Sequence, residues 1–108
     1  MTVRLLFVAA LLGGAATLSL VHAQPEDVRN GLAVAQDLCA SCHAIYRGVA
    51  TSPNLNAPTF PTIAATPGMT ALALGVTLRT SHQEMPNIIL DTQQRADVIA
   101  YILSLRAN

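Results

Sequence analysis

Cys39-Ala40-Ser41-Cys42-His43 constrains this chain more than any other stretch. Two thiols separated by two residues, with an imidazole directly after the second, can engage one flat macrocycle. The sulfurs add to the two vinyl groups of a haem, and the adjacent ring reaches its iron as an axial ligand. A chain that does this must wrap its other residues around a rigid plate. Two rival readings of a Cys-x-x-Cys pair find less support. A thiol–disulfide redox pair belongs in a βαβ context, and nothing in the sequence reads as one. A zinc site needs two further ligands at matching spacing, and there is no third cysteine.

The N-terminal stretch reads as an address. Met1 to Ala23 has one early positive charge, Arg4, then an uncharged apolar run from Leu5 to Val21, and it closes on Val21-His22-Ala23. That is the layout of a secretory signal peptide cleaved after Ala23. It leaves residues 24–108 as a single domain in the periplasm, an oxidising compartment. The alternative is an uncleaved N-terminal membrane anchor facing the periplasm. Against it, the run is shorter than the about 20 residues that span a bilayer, and Gly13, Gly14, Thr17 and Ser19 dilute it. His22 leaves with the signal and is no ligand.

Removing the leader removes Arg4, leaving five arginines against six acids and a formal charge of −1, with no lysine anywhere. Such a balance excludes nucleic acid and anionic membrane surfaces as natural partners. It points to an apolar or weakly polar docking face. The remaining aromatics are Tyr46, Phe60 and Tyr101, too few large side chains for a thick core in so short a domain. A buried haem would supply the missing apolar mass.

Pro25 suits the first turn of a helix, and Glu26 and Asp27 follow at its positive end. Val28, Leu32, Ala35 and Leu38 then recur at helical spacing and form one apolar stripe that ends at Cys39. Gly31 weakens this helix by about 1 kcal/mol relative to alanine, unless another helix comes close there. The clearest helix is the last. Asp91 and Gln94 read as a capping box, Val98, Tyr101, Ile102 and Leu105 make an i, i+3, i+4, i+7 face, and Arg106 falls in the final turn. Between the two helices, Arg47 to Pro67 carries four prolines and reads as irregular loop. So long a loop makes sense when it wraps a prosthetic group. A third helix spans about Thr70 to Arg79.

If His43 takes one face of the iron, three residues compete for the other: Met85, Met69 and His82. Met85 is preferred because Pro86 keeps it out of helical geometry, so an extended backbone can present its thioether inwards. Met69 opens the third helix, where a core or surface methionine is usual. His82 reads as a solvent-facing loop residue, Tyr46 as packing beside the haem, and Arg47 as a solvated loop arginine or a propionate partner.

At this point the chain resembles the class I c-type cytochromes, from about Asp27 to Arg106. The residues that carry the resemblance are Gly31, Cys39-Ala40-Ser41-Cys42-His43, Ala57-Pro58-Thr59-Phe60, Met85-Pro86-Asn87 and the last helix from Asp97 to Leu103. The resemblance implies an all-α cytochrome c fold of three to four helices and long loops around one covalently attached haem c. It implies thioethers at Cys39 and Cys42, iron ligands His43 and Met85, and first and last helices that cross where Gly31 lets Tyr101 approach. It also implies that a proline carbonyl holds His43 Nδ1; Pro58 is the first choice and Pro53 the second. Ala57 departs from the glycine that often precedes that proline.

The function so implied is electron transfer between periplasmic redox proteins, by a monomer or a subunit of a redox complex such as an electron-accepting subunit of a dehydrogenase. No acid pair, Ser-His-Asp set or phosphate loop suggests an enzyme. Two alternatives stay open: a haem protein with a labile sixth position that binds small ligands or peroxide, and a haem-free thiol protein.

Overall fold

The computed structural model describes residues 26–80, 82 and 84–107. The expected signal peptide, its cleavage after Ala23 and Pro25 lie outside them. Four helices are present among the described residues, with no strand: α1 (Val28–Leu38), α2 (Phe60–Ala65), α3 (Ala71–Thr77) and α4 (Thr92–Ser104). None is long and apolar enough to cross a membrane. Among the described residues the fold is all-α, as the resemblance implies.

Each helix begins at a side chain able to accept from its orphan N–H groups. Asp27 lies outside α1 as its N-cap, where it accepts from the Arg29 and Asn30 amides. Thr59 accepts from Thr62 N–H at the start of α2, and Thr70 from Ala73 N–H at the start of α3. At α4 the capping box is complete: Gln94 N–H donates to Asp91 at 2.8 Å, and Asp91 N–H donates to Gln94 Oε1 at 3.1 Å.

Helix α2 corrects the reading of Arg47–Pro67 as continuous loop. Its prolines concealed it, yet Pro61 occupies the first turn, where its missing N–H removes no helical bond. Helix α3 is shorter than the predicted Thr70–Arg79. Leu74 and the C-cap residue Leu78 turn inwards, while Leu72 and Val76 face solvent.

Helices α1 and α4 pack across one another and make the frame of the molecule. The inward face of α1 keeps half of the expected stripe: Ala35 is buried and Leu32 packs against the core, but Val28 and Leu38 are exposed, and Gly31 is buried beside Ala35. Small residues there let the backbones approach: a Cβ on Gly31 would overlap the Asp97 carbonyl oxygen, lie 2.6 Å from the Asp97 carbonyl carbon and 2.8 Å from Tyr101 Cβ. On α4 the predicted face holds, with Val98, Tyr101, Ile102 and Leu105 all buried.

Asp97 fastens the crossing. Its buried carboxylate accepts from Asp27 N–H at 2.7 Å and from Gln93 Nε2 at 2.8 Å, joining the start of α1 to the middle of α4. The two arginines near the far end of α4 change roles relative to expectation. Arg106 lies beyond the helix, and its guanidinium donates to the carbonyls of Ala64 and Met69, at the end of α2 and just before α3. Arg47 is the residue that serves the C-terminus of α4, donating to the carbonyls of Ser104 and Arg106.

Candidate functional site

Helix α1 delivers the cysteine motif and then stops. Cys39 caps it, and Cys39 and Ala40 both donate to the Ala35 carbonyl. Cys42 and His43 then fold back on the Cys39 carbonyl at 3.1 and 2.9 Å. This tight turn brings both thiols and the imidazole to one cavity of about 370 Å³, within the usual range for bound ligands of about 300–1,000 Å³. Both thiols are free and half-buried. Burial, and secondarily the neighbouring Cys42, pushes the Cys39 thiol up to about 11, so at neutral pH it is a neutral, protonated group.

His43 is held from several sides. Its Nδ1 lies 2.7 Å from the Pro58 carbonyl oxygen. A carbonyl can only accept, so Nδ1 carries the proton and Nε2 keeps its lone pair for a metal. Pro53, the other proline considered for this contact, is exposed and does not line the cavity. The Phe60 ring stands 5.5 Å from the imidazole, tilted by 48°, and backs onto Tyr101 at 6.4 Å. The backbone around His43 is pinned as well. Asn54 N–H donates to the Cys42 carbonyl and Phe60 N–H to the Ala44 carbonyl. Ala44 N–H donates to buried Ser52 Oγ at 3.0 Å, and the Tyr101 hydroxyl donates to the Ile45 carbonyl at 2.7 Å.

All three residues considered for the second axial position line the same cavity: Met69, His82 and Met85. Met85 is half-buried, and its N–H reaches the His82 carbonyl at 3.3 Å across a turn in which Glu84 adopts a left-handed φ of 63°. His82 is exposed, with Nδ1 3.2 Å from the Thr80 carbonyl. Tyr46, expected beside the haem, lies away from the cavity and accepts from Gln36 Nε2. Arg47 is committed to α4 carbonyls, as described above.

The residues present suit a covalently attached haem. Two free thiols flank one end of a cavity walled by Leu74, Leu90, Val98 and Ile102, and an imidazole with an available Nε2 faces it. The cytochrome c family model matches residues 28–106, nearly the whole described region. The chain belongs to the cytochrome c family. No curated protein and no solved structure matches it. Membership brings the family's covalently attached haem c, and makes this cytochrome a haem-based electron-transfer protein.

Sequence reasoning passed over Ser52 and Asn54, whose contacts join residues eight and twelve apart in a loop without periodicity. Asp97 was equally silent, because a buried carboxylate among apolar helix residues carries no signature until its partners are known.

Proposed function

We propose that this cytochrome c carries single electrons between periplasmic redox partners, with His43 and Met85 as the two axial ligands of its haem iron. One observation carries the reading: His43 commits Nδ1 to Pro58 and so keeps Nε2 for metal, in the cavity that Met85 also lines. Haem c, when bound, supplies an iron that gains and loses one electron. The Pro58 carbonyl fixes the orientation of the imidazole and makes it a stronger donor. Met85 offers a soft thioether, which favours the ferrous state and raises the potential. With His43 and Met85 both holding the iron, neither face would be open to substrate, and outer-sphere transfer is the chemistry the group would supply. Leu74, Leu90, Val98 and Ile102 keep water out of the site, and the hydrogen bonds around His43 limit rearrangement when the charge changes.

Met85 is preferred to Met69 because Pro86 keeps it out of helical geometry, whereas Met69 immediately precedes the N-cap of α3 and its carbonyl is tied to Arg106. Replacing Met85 by Ala is expected to abolish the weak sulfur-to-iron charge-transfer band of the ferric protein, and replacing Met69 by Ala to leave it intact. The reverse result would overturn the assignment. Rapid stoichiometric carbon monoxide binding by the reduced wild type at neutral pH would favour a labile sixth position instead. Acid–acetone extraction tests attachment, since haem bound through Cys39 and Cys42 stays with the protein.

A further inference from the structure

We propose that Asn30-Gly31 is a modification site at which the open chain, and not the folded one, deamidates, and that the isoaspartate formed there can no longer close the α1–α4 crossing. The sequence holds a single Asn-Gly pair; the other asparagines precede Leu55, Ala57 and Ile88 or end the chain. Glycine after asparagine leaves the backbone nitrogen uncrowded, so the Gly31 nitrogen can attack the carbonyl carbon of the Asn30 side chain. A five-membered imide forms and ammonia leaves. Water then opens the imide at either carbonyl, leaving aspartate or isoaspartate at the first position of the pair. No oxidant or reductant takes part.

In the folded chain the two partners of this reaction stand in different surroundings. Asn30 is exposed. Gly31 is buried, its N–H donates to the Asp27 carbonyl at 2.8 Å, and its backbone lies close against the Asp97 carbonyl. The attacking nitrogen is therefore committed as a donor, and helical dihedrals hold Asn30 away from the ring-closing geometry. The turn is also locked from outside the helix, since Asp97 accepts from Asp27 N–H at 2.7 Å. Reaction waits for α1 to open, and its rate follows the open population.

The two products differ in how they fit. Aspartate keeps the length of the main chain and places a negative charge in the first turn of α1, where the helix dipole favours it. Isoaspartate inserts a methylene carbon into the main chain directly before Gly31. This is the tightest point of the crossing, where even a Cβ on Gly31 would lie 2.6 Å from the Asp97 carbonyl carbon and 2.8 Å from Tyr101 Cβ. The insertion also breaks the i→i−4 spacing of the hydrogen bonds that span it. A chain that closes in time is protected, and one held open too long loses the ability to pack α1 on α4.

The test ages the holoprotein in mildly alkaline buffer with and without urea, and resolves aspartate and isoaspartate in its proteolytic peptides by mass spectrometry. Conversion of Asn30 in urea is expected to exceed that in the native protein by at least about tenfold. It should also outrun conversion of Asn54, Asn56 and Asn87 in the same unfolded chains. Asp97→Ala, which frees Asp27 N–H, should raise the native rate by about tenfold. After dilution from urea, size-exclusion chromatography should find the aspartate product with folded protein and the isoaspartate product apart from it. Asn30→Asp is expected to fold with an unchanged absorption spectrum, and Asn30→Gln to remain refoldable after the same ageing. Equal conversion in the native protein and in urea, or isoaspartate chains that refold as well as unaged ones, overturns the proposal. So does faster conversion at another asparagine, or an aged Asn30→Gln variant that loses refolding as the wild type does.

Discussion

Gly31→Ala sets two opposing effects against each other at the α1–α4 crossing. Helix propensity alone favours the alanine by about 1 kcal/mol. The crossing opposes it, because the new methyl would overlap the Asp97 carbonyl oxygen and lie 2.6 Å from the carbonyl carbon, where ordinary contact begins at 3.4 Å. The obstacle is helix backbone, which cannot rotate aside as a side chain can. The helices must separate, loosening Ala35 and Tyr101, and overpacking of this kind typically costs about 1–3 kcal/mol. Because the overlap is with backbone, the upper part of that range applies, about 2–3 kcal/mol, and after the propensity gain the net expectation is a loss of about 1–2 kcal/mol. That corresponds to a melting temperature lower by about 4–16 °C in a domain of this size.

Gly75→Ala in α3 is the matched control. Its methyl would meet only Ile99 Cδ1 at 3.9 Å, so propensity acts unopposed and the variant should gain up to about 1 kcal/mol. Thermal and urea unfolding of both holoproteins, followed by far-ultraviolet circular dichroism, gives the comparison. Equal stabilisation by the two alanines would refute the close crossing.

Tyr101→Phe removes the hydroxyl that donates to the Ile45 carbonyl and is expected to destabilise the holoprotein by about 1–2 kcal/mol in urea unfolding. It should also alter the alkaline limb of stability. Burial foremost, and then Tyr46, raise the Tyr101 phenol above its ordinary 10.0, with Arg47 opposing. The folded state therefore favours the neutral phenol: its contribution is whole below pH 10.0 and fades as pH rises through the raised value. Stability measured from pH 8 to 11 should accordingly fall less in the Phe variant. Asp97→Ala removes the carboxylate that accepts from Asp27 N–H and Gln93 Nε2 and leaves the Asp27 amide without its acceptor, and unfolding should register a loss of about 2 kcal/mol. Glu84→Gly relieves a left-handed conformation that costs a side-chain-bearing residue about 1–2 kcal/mol. It should not lower the temperature at which the charge-transfer band is lost; a clear drop would contradict the strain at this position.

The parts legible in the sequence were those whose chemistry is local. Asp91 and Gln94 announce a helix start within four residues, and the face from Val98 to Leu105 repeats at helical spacing, so α4 could be read directly. The motif at Cys39–His43 is likewise complete in five residues. Helix α2 was hidden because prolines signal loops more often than first turns, and Thr59 with Pro61 is a short clue. The ends of the α1 face were misjudged for a physical reason: apolar size predicts burial only where there is room, and at a close crossing the small Gly31 and Ala35 go inside while Val28 and Leu38 are left out. Arg47 and Arg106 could not be assigned, because carbonyls are present at every residue and only the fold decides which ones lack partners.

The crossing of α1 with α4 also has a consequence in time. It unites the first and last described helices, so the ring of structure closes only when nearly the whole domain is available, and a large loop must lose its freedom in that one event. In any shorter nascent chain, α1 has no partner, Gly31 and Ala35 face water, and Phe60 has no Tyr101 to back it. The thiols at Cys39 and Cys42, which the finished fold half buries, then stand open to reagents. A chain built this way offers its two thiols early and encloses them late.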